Sequence, residues 1–396
     1  MLKWLKQCVG GAPSRKHANA PLHQDALNLT DPRTIAAFKE TAKALREHRP
    51  VCPVTSGGVL LLRPDDVKAA FSNKLLSNQP SRFSALAPRN TDKYVAASVA
   101  ANIPPFLDAP RHVDIRKWLS RCFFERMRTF EPQIAGIAQT HIDAIAPATR
   151  LLLVEHIARD FVVDTIGKFV GVEVAPADMK QFTGALFRLF APASDAETFA
   201  QTNTDLAAAR QQLVHALHER RKDQSACLLN LLDQDGQSDV SGADKDLMIA
   251  DNALLILADG VENVEAAIAY VMMRSQSQNA DITPDFVRDT IAADTPGQTI
   301  ARIASQDFLI GGERVSAGTP VFLSLASAND AAAPSEDFSF GMGRHRCIGE
   351  SLAIAMISTF CAILSERGPQ IDTSDLHYAA MFGHKWPRGV TLRLTR

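Results

Sequence analysis

Four long stretches of this 396-residue chain repeat apolar residues at helical spacing, and this periodicity limits the possible folds more than any other feature. They are IRKWLSRCFFERMRTFEPQIAGIAQTHIDAIA, LLVEHIARDFVVDTIGKFVGV, TFAQTNTDLAAARQQLVHALHERRK and DLMIADNALLILADGVENVEAAIAYVMMRS. Shorter β-like segments come late, in QDFLIGGERVSAGTPVFLSLA and in the terminal GVTLRLTR. The pattern predicts a mainly α fold, with one large helical domain and a small β-rich part.

The organisation of the chain points to a single domain. No linker rich in Pro, Gly or Ser and no long charge run divides its interior, so we expect residues 25–396 to form one domain. Residues 1–24 are predicted to be a mobile arm. Their apolar stretch is too short to span a bilayer and lacks a signal-peptide core, so we expect a cytoplasmic protein without a membrane segment.

Charge and cysteine usage narrow the function classes. The chain carries 42 basic and 44 acidic residues, a net charge of −2, which argues against a nucleic-acid partner. Its six cysteines are scattered without a CxxC pair, so neither a disulfide framework nor a zinc site is indicated. At most one or two of them are expected to take part in chemistry.

One cysteine lies in an unusual loop, FSFGMGRHRCIG, residues 338–349. Cys347 comes just before a helical segment that ends naturally at Gly368. The free N–H groups of a helix start, together with Arg344 and Arg346, are expected to favour a thiolate there, which can bind a soft metal centre. Glycines 341, 343 and 349 allow a flat ligand to approach the backbone. The simpler alternative is a buried free cysteine beside a glycine turn.

The spacing of Phe340, Gly343, Cys347 and Gly349 resembles the haem-binding loop of the cytochrome P450 family. The resemblance extends over most of the chain from about residue 25. It implies the cytochrome P450 fold, haem b as the cofactor, and Cys347 as the thiolate ligand of the iron.

The same resemblance implies groups that bind the haem propionates. FLDAPRHVDIRKWLSRCF is similar to a family helix in which His112 and Arg116, four residues apart, would hold them from one helix face. Arg302 in a β-like segment and His345 in the cysteine loop are expected to add two more donors. Without the cysteine loop, an exposed His/Arg pair on an amphipathic helix would be the simpler interpretation.

The apolar helical stretch around residue 260 carries three acids, Asp259, Glu262 and Glu265, although burial of carboxylates is costly unless they are paired or functional. For Glu265 we favour contact with water or a neighbouring arginine. The family pattern there, Gly-x-acid-Thr, falls on Gly260, Glu262 and Asn263. The resemblance implies that Gly260 leaves room for oxygen and that Glu262 carries protons. Asn263 departs from the pattern, because an amide cannot relay a proton as a hydroxyl does.

A second departure concerns a pair of residues that the family uses as a structural network. Its Glu-x-x-Arg pair falls on Asp289 and Ala292 here, so an aspartate takes the place of the glutamate and the arginine is missing. Only 45 residues separate Arg302 from Cys347, which indicates that the loop carrying the network's third member is shortened too. Because a glutamate and an arginine buried without that partner would be costly, the combined losses indicate a structural simplification.

Substrate contacts are predicted only by region: residues 81–105, 182–193, 296–300 and the turn at Met381 and Phe382. Candidate pocket walls are Phe83, Leu86, Phe187, Phe190 and Phe382. Aromatic residues at such spacing are more often plain core.

The leading functional hypothesis is a monooxygenase acting on a small organic substrate with O2. The chain has no flavin domain and no iron–sulfur cysteine cluster, so a separate ferredoxin or flavodoxin with its reductase would supply electrons. Five basic residues could form a surface for an acidic donor, or simply a solvated face: Arg116, Lys117, Arg121, Arg344 and Arg346. Two alternatives stay open. One is a haem-thiolate enzyme of other chemistry, such as peroxide-driven oxidation, coupling or rearrangement. The other is a non-catalytic haem-binding sensor.

Overall fold

A computed structural model describes residues 26–82, 84–146, 149–191, 195–223, 225–235, 242–333 and 336–395. The predicted arm, residues 1–24, and the candidate wall Phe83 lie outside the described residues. Within the described part of the chain, no helix combines the length and apolar character needed to cross a membrane.

Helices make up most of the described structure, as the periodicity predicts. They are α1 Pro32–Ala36, α2 Phe38–His48, α3 Pro64–Ser72, α4 Val95–Ala100, α5 Arg111–Phe130, α6 Ile134–Asp143, α7 Arg159–Val170, α8 Pro176–Phe190, α9 Ala196–Asp223, α10 Leu228–Gln234, α11 Ala243–Gln278, α12 Pro284–Ala293, α13 Leu325–Ala331 and α14 Glu350–Ser365.

The strands are short and fall into four small groups. They are β1 Val51–Pro53, β2 Val59–Leu61, β3 Leu76–Ser77, β4 Arg150–Leu152, β5 Thr299–Ala304, β6 Phe308–Ile310, β7 Glu313–Val315, β8 Pro320–Ser324, β9 Pro369–Asp372, β10 His377–Tyr378, β11 Pro387–Arg388 and β12 Thr391–Leu394. The predicted late β segments are confirmed. Strands β1 to β4 were not predicted.

The helical predictions hold with local corrections. The first stretch forms two helices, α5 and α6, because Pro132 lacks the N–H that a continuous helix would need there. A π-helical turn, Leu153–Ala158, precedes α7 in the second stretch. The third and fourth stretches are the single long helices α9 and α11.

Helix α11 lies at the centre of the helical part. It packs against α7, α8, α9 and α14, and most of its apolar side chains belong to one continuous buried core. Because neighbours surround it, its polar residues must find partners on other helices or line an internal recess.

The five-stranded sheet has the order β1-β2-β8-β5-β3, and only the β2–β8 pairing is parallel. Arg302 is held on β5 opposite Val321 of β8. After β8 the chain forms α13 before it reaches the cysteine loop, a helix that was not predicted.

Candidate functional site

The cysteine loop, residues 338–349, is a tight backbone structure immediately before α14. The Cys347 N–H donates to the carbonyl of Phe340 at 2.8 Å. Gly341 and Gly343 have φ values of 68° and 66°, in the left-handed region where residues with a side chain are strained. The loop therefore depends on glycine at these two positions to present Cys347.

The thiol of Cys347 faces a recess. Its residue is exposed, unlike Cys52, Cys122, Cys227 and Cys361, which are buried. Surrounding protein nevertheless raises the pKa of the thiol to about 11, and the charge of Asp259 is the next largest cause. The exposed surface of the residue therefore borders an enclosed space lined by protein.

Arg344 and Arg346, which are expected to favour a thiolate, also contact carboxylates. Arg346 Nε donates to Glu350 Oε2 at 2.8 Å, and Arg344 lies 3.9 Å from Asp108. Both cations therefore share their charge with acidic neighbours, and burial remains the largest cause of the raised thiol pKa. A bound iron would favour the thiolate.

Two imidazole rings, tilted at 40° to each other, lie at the cysteine loop. The ring centroids of His112 on α5 and His345 are 3.9 Å apart. Both ring nitrogens of His112 and Nε2 of His345 are buried without a hydrogen-bond partner among the described residues. Burial lowers the pKa of both, that of His345 to about 3, so both rings are neutral. Buried nitrogens of this kind indicate a missing ligand.

Two arginines complete this group. Arg302 is 8% exposed, and its Nη1 donates to the carbonyl of Ala301 at 2.7 Å. Burial lowers its pKa to about 10, and no carboxylate bonds to it among the described residues. Arg116 on α5 instead donates to the Arg346 carbonyl at 2.7 Å and so contacts the cysteine loop.

These residues fit the haem that the sequence implies. A propionate carboxylate would supply the acceptors that Arg302, His112 and His345 lack, and the recess beside Cys347 is where an iron could meet the thiol. The structure thus brings the predicted loop and propionate-binding residues to one place.

Glu262 is not a free carboxyl. It pairs with Arg388 and lies 3.4 Å from Arg159, which also donates to Glu265 at 2.9 and 2.8 Å. Burial alone would lower the pKa of Arg159, but Glu265 and Glu262 raise it, so it stays cationic. Two acids and two arginines therefore form a neutral buried cluster. The interpretation favoured for Glu265, a neighbouring arginine, agrees with this contact.

Asn263 is fixed at both ends of its amide. Trp386 Nε1 donates to Asn263 Oδ1 at 3.0 Å, and Asn263 Nδ2 donates to the Asp259 carbonyl at 3.3 Å. At Gly260, an added Cβ would come 2.9 Å from Cδ1 of Ile166, so close packing of α11 on α7 is one reason for this glycine.

In the region where the family has its Glu-x-x-Arg pair, α12 is connected to the cysteine loop by a different set of residues. Asp289 is exposed, Ala292 is half-buried, and Thr290 is the fully buried polar residue of α12. Arg288 of the same helix donates to Glu350 Oε1 at 2.6 Å, while Arg346 donates to the other oxygen. Glu350 thereby links α12 to the cysteine loop.

The predicted pocket walls have mixed surroundings. Phe382 packs on Phe322 at 4.9 Å in a core cluster, and half-buried Leu86 packs against the main core. Phe190 stacks on Phe106 at 5.0 Å. Phe187 contacts the rings of two residues from the C-terminal part of the chain, His384 and Trp386, at 4.9 and 4.8 Å.

The five basic residues do not form a uniformly free surface. Arg121 pairs with Asp235, while Arg344 and Arg346 have the acidic partners already named. Lys117 is exposed on α5. The positive charge of this face is therefore partly offset.

Sequence reasoning missed Arg159, Arg388, Trp386 and His384. Each lies far along the chain from the α11 residue that it approaches. No local motif marks them, since only the fold brings them together.

No family model matches the chain, but curated proteins are similar to it over most of its length. The chain is 26% identical over 347 residues to nocardicin C N-oxygenase of Nocardia uniformis subsp. tsuyamanensis, covering 78% of this chain and 82% of that protein. It is 25% identical over 360 residues to mycinamicin IV hydroxylase/epoxidase of Micromonospora griseorubida, covering 83% and 87%.

A solved structure agrees in fold. The structure of P450BioI in complex with acyl carrier protein ligated to hexadec-9Z-enoic acid covers 91% of this chain and 99% of its own, with a TM-score of 0.80 at 18% identity. The predicted mainly α fold is the one seen there.

Proposed function

Because this chain belongs to the cytochrome P450 family, we propose that it is a haem-thiolate monooxygenase that inserts one oxygen atom from O2 into a small organic substrate. Electrons would come from a separate ferredoxin or flavodoxin with its reductase, and the reaction would take place in the cytoplasm. The observation that carries the proposal is the thiol of Cys347 in a recess bordered by unpaired nitrogens of His112 and His345.

In this proposal the haem is held by residues from three parts of the chain. Cys347 would bind the iron, while His112, His345 and Arg302 would donate to the propionates. When bound, the haem supplies the redox centre at which O2 is reduced. Phe340, Gly343 and Gly349 would shape the loop, and Arg116 would brace it through the Arg346 carbonyl.

Helix α11 would supply the opposite wall. Glu262 would have two roles in this wall. It would neutralise the charge of Arg388, with which it pairs, and it would move protons, since of the paired acids it is the nearest in sequence to Asn263. Gly260 would keep α11 close to α7. Asn263 would orient neighbouring groups without relaying a proton, because its amide is held by Trp386.

The first experiment is the spectrum of the reduced, haem-loaded protein with carbon monoxide. A strongly red-shifted Soret band is expected if Cys347 binds as thiolate. A band at the position typical of histidine ligation, or no haem binding, would contradict the proposal. Turnover is then tested with reduced ferredoxin and oxygen over a panel of small organic compounds.

The fixed amide of Asn263 favours one second candidate, oxidation driven by hydrogen peroxide. Peroxide already carries the protons that a hydroxyl at position 263 would otherwise relay. Product formed with peroxide but not with ferredoxin and oxygen would favour this candidate. The reverse result would favour the monooxygenase.

A further inference from the structure

Asp259 stands apart from the other acids of α11. Glu262 and Glu265 share arginines, whereas no hydrogen bond or ion pair reaches the Asp259 carboxylate from any described residue. Burial raises its pKa to about 6, so it is mostly ionised at neutral pH. An unpaired carboxylate in such surroundings is costly, which indicates that its partner is a ligand.

The carboxylate lies near enough to the cysteine loop for its charge to raise the pKa of the Cys347 thiol. Its own carbonyl accepts from Asn263 one turn later, so Asp259 and Asn263 lie on one helix face. Asp259 is therefore an acid without a bonded partner among the described residues, on the helix face that also carries Asn263.

His384 provides a second hydrogen-bond acceptor near Asn263. His384 Nδ1 donates to the Phe382 carbonyl at 2.7 Å, which leaves Nε2 as an acceptor. Burial lowers the pKa of His384 to about 4, so the ring is neutral. A Cβ added at Gly297 would lie 3.8 Å from Asn263 Oδ1 and 4.0 Å from His384 Cδ2, which places these two side chains beside each other.

Aromatic rings border His384. Trp386 and Phe187 lie 4.6 and 4.9 Å from it, centroid to centroid. Arg116 donates to the Arg346 carbonyl and Arg302 to the Ala301 carbonyl, and no lysine or arginine among the described residues bonds to the side chain of Asp259 or His384. This wall therefore offers acceptors and ring faces. Protonated amines suit such surroundings, because carboxylates and aromatic faces both attract cations.

We propose that the recess binds a substrate carrying a protonated amine, with Asp259 as the residue that pairs with it and His384 as a second acceptor. This substrate class rests on the proposed function of the same site. The inference concerns ligand selection and is tested by binding.

The test of charge pairing with Asp259 uses the haem-loaded protein and octyltrimethylammonium, which carries the cation without an N–H and whose nitrogen cannot ligate iron. Octan-1-ol and octanoate serve as neutral and anionic probes of similar length, and calorimetric titration measures each affinity. We expect the ammonium to bind at least tenfold more tightly than either control. Asp259→Asn should remove that preference and leave octan-1-ol binding unchanged, while Asp289→Asn, an exposed acid of α12, should behave like the wild type.

Equal affinities for the ammonium and octan-1-ol in the wild type would overturn the inference, and this comparison needs no variant. An Asp259→Asn protein that keeps the preference would also overturn it, and Asp259→Ala provides a second variant if the first does not fold. The carbon monoxide spectrum separates the two proposals. A red-shifted band without ammonium preference removes only this inference, whereas absence of the band removes the proposed function and the inference together.

Discussion

The cysteine loop and the middle of α11 face each other across the proposed haem, yet they differ in what their polar groups contact. In the loop region, His112, His345 and Arg302 have nitrogen atoms that do not bond to any carboxylate among the described residues. In α11, Glu262 and Asn263 are already bound by Arg388 and Trp386, which come from the end of the chain.

This difference separates two kinds of site. The loop region is built to receive an external ligand, because its donors are buried and unpaired. The middle of α11 is largely satisfied by the protein itself, and of its three acids Asp259 alone has no bonded partner among the described residues. A motif match alone would have identified both segments equally as functional sites.

The largest expected effect comes from removing the ligand on the loop side. Cys347→Ala should abolish the red-shifted carbon monoxide band entirely, because no other thiol reaches the recess among the cysteines that the structure describes. Absorption spectroscopy measures this. Cys361→Ala, on α14 and buried, should keep the band. An unchanged spectrum in Cys347→Ala would refute the ligand assignment.

On the α11 side, Glu262→Gln should lower both stability and turnover. It leaves Arg159 and Arg388 with one carboxylate between them, and an uncompensated buried charge costs about 3 kcal/mol. Urea unfolding measures the free energy of unfolding, and product formation the turnover. Glu125→Gln, exposed on α5, is the control. Wild-type stability and turnover in Glu262→Gln would mean that the cluster contributes to neither.

On the loop side, Arg302→Gln should weaken haem retention. Hydrogen bonds to charged groups contribute roughly 1.5–3 kcal/mol, so haem should leave about ten- to a hundredfold faster. Transfer of haem to apomyoglobin gives the rate. Arg314→Gln removes an exposed arginine that pairs with Asp307 and should not change it. A wild-type rate in Arg302→Gln would exclude a propionate contact.

The smallest effect should follow from Glu350→Gln, which weakens the link between α12 and the cysteine loop. Its contacts with Arg288 and Arg346 are partly exposed, so we expect a loss of about 1 kcal/mol. The red-shifted band should therefore disappear at a temperature a few degrees lower, and high salt should reduce the difference. Asp372→Asn, which breaks an exposed pair with Arg150, should leave this temperature unchanged. An equal temperature for Glu350→Gln would mean that the link does not support the loop.

Much of the fold followed from periodicity. Long apolar repeats predicted α9 and α11, because helix formation depends on residues three and four apart. The early strands β1 and β2 were missed, since three-residue strands are too short to show alternation. The break between α5 and α6 was missed as well, although Pro132 signalled it.

The sequence by itself determined the loop around Cys347 and its kinship to the haem-thiolate proteins, because that geometry is encoded by glycines and a cysteine a few residues apart. Only the tertiary structure decided which acids of α11 are paired with arginines. Arg159, Arg388 and Trp386 lie about a hundred residues or more from their partners, and charge pairing depends on distance in space. For the same reason, only the fold shows that no cation among the described residues bonds to Asp259.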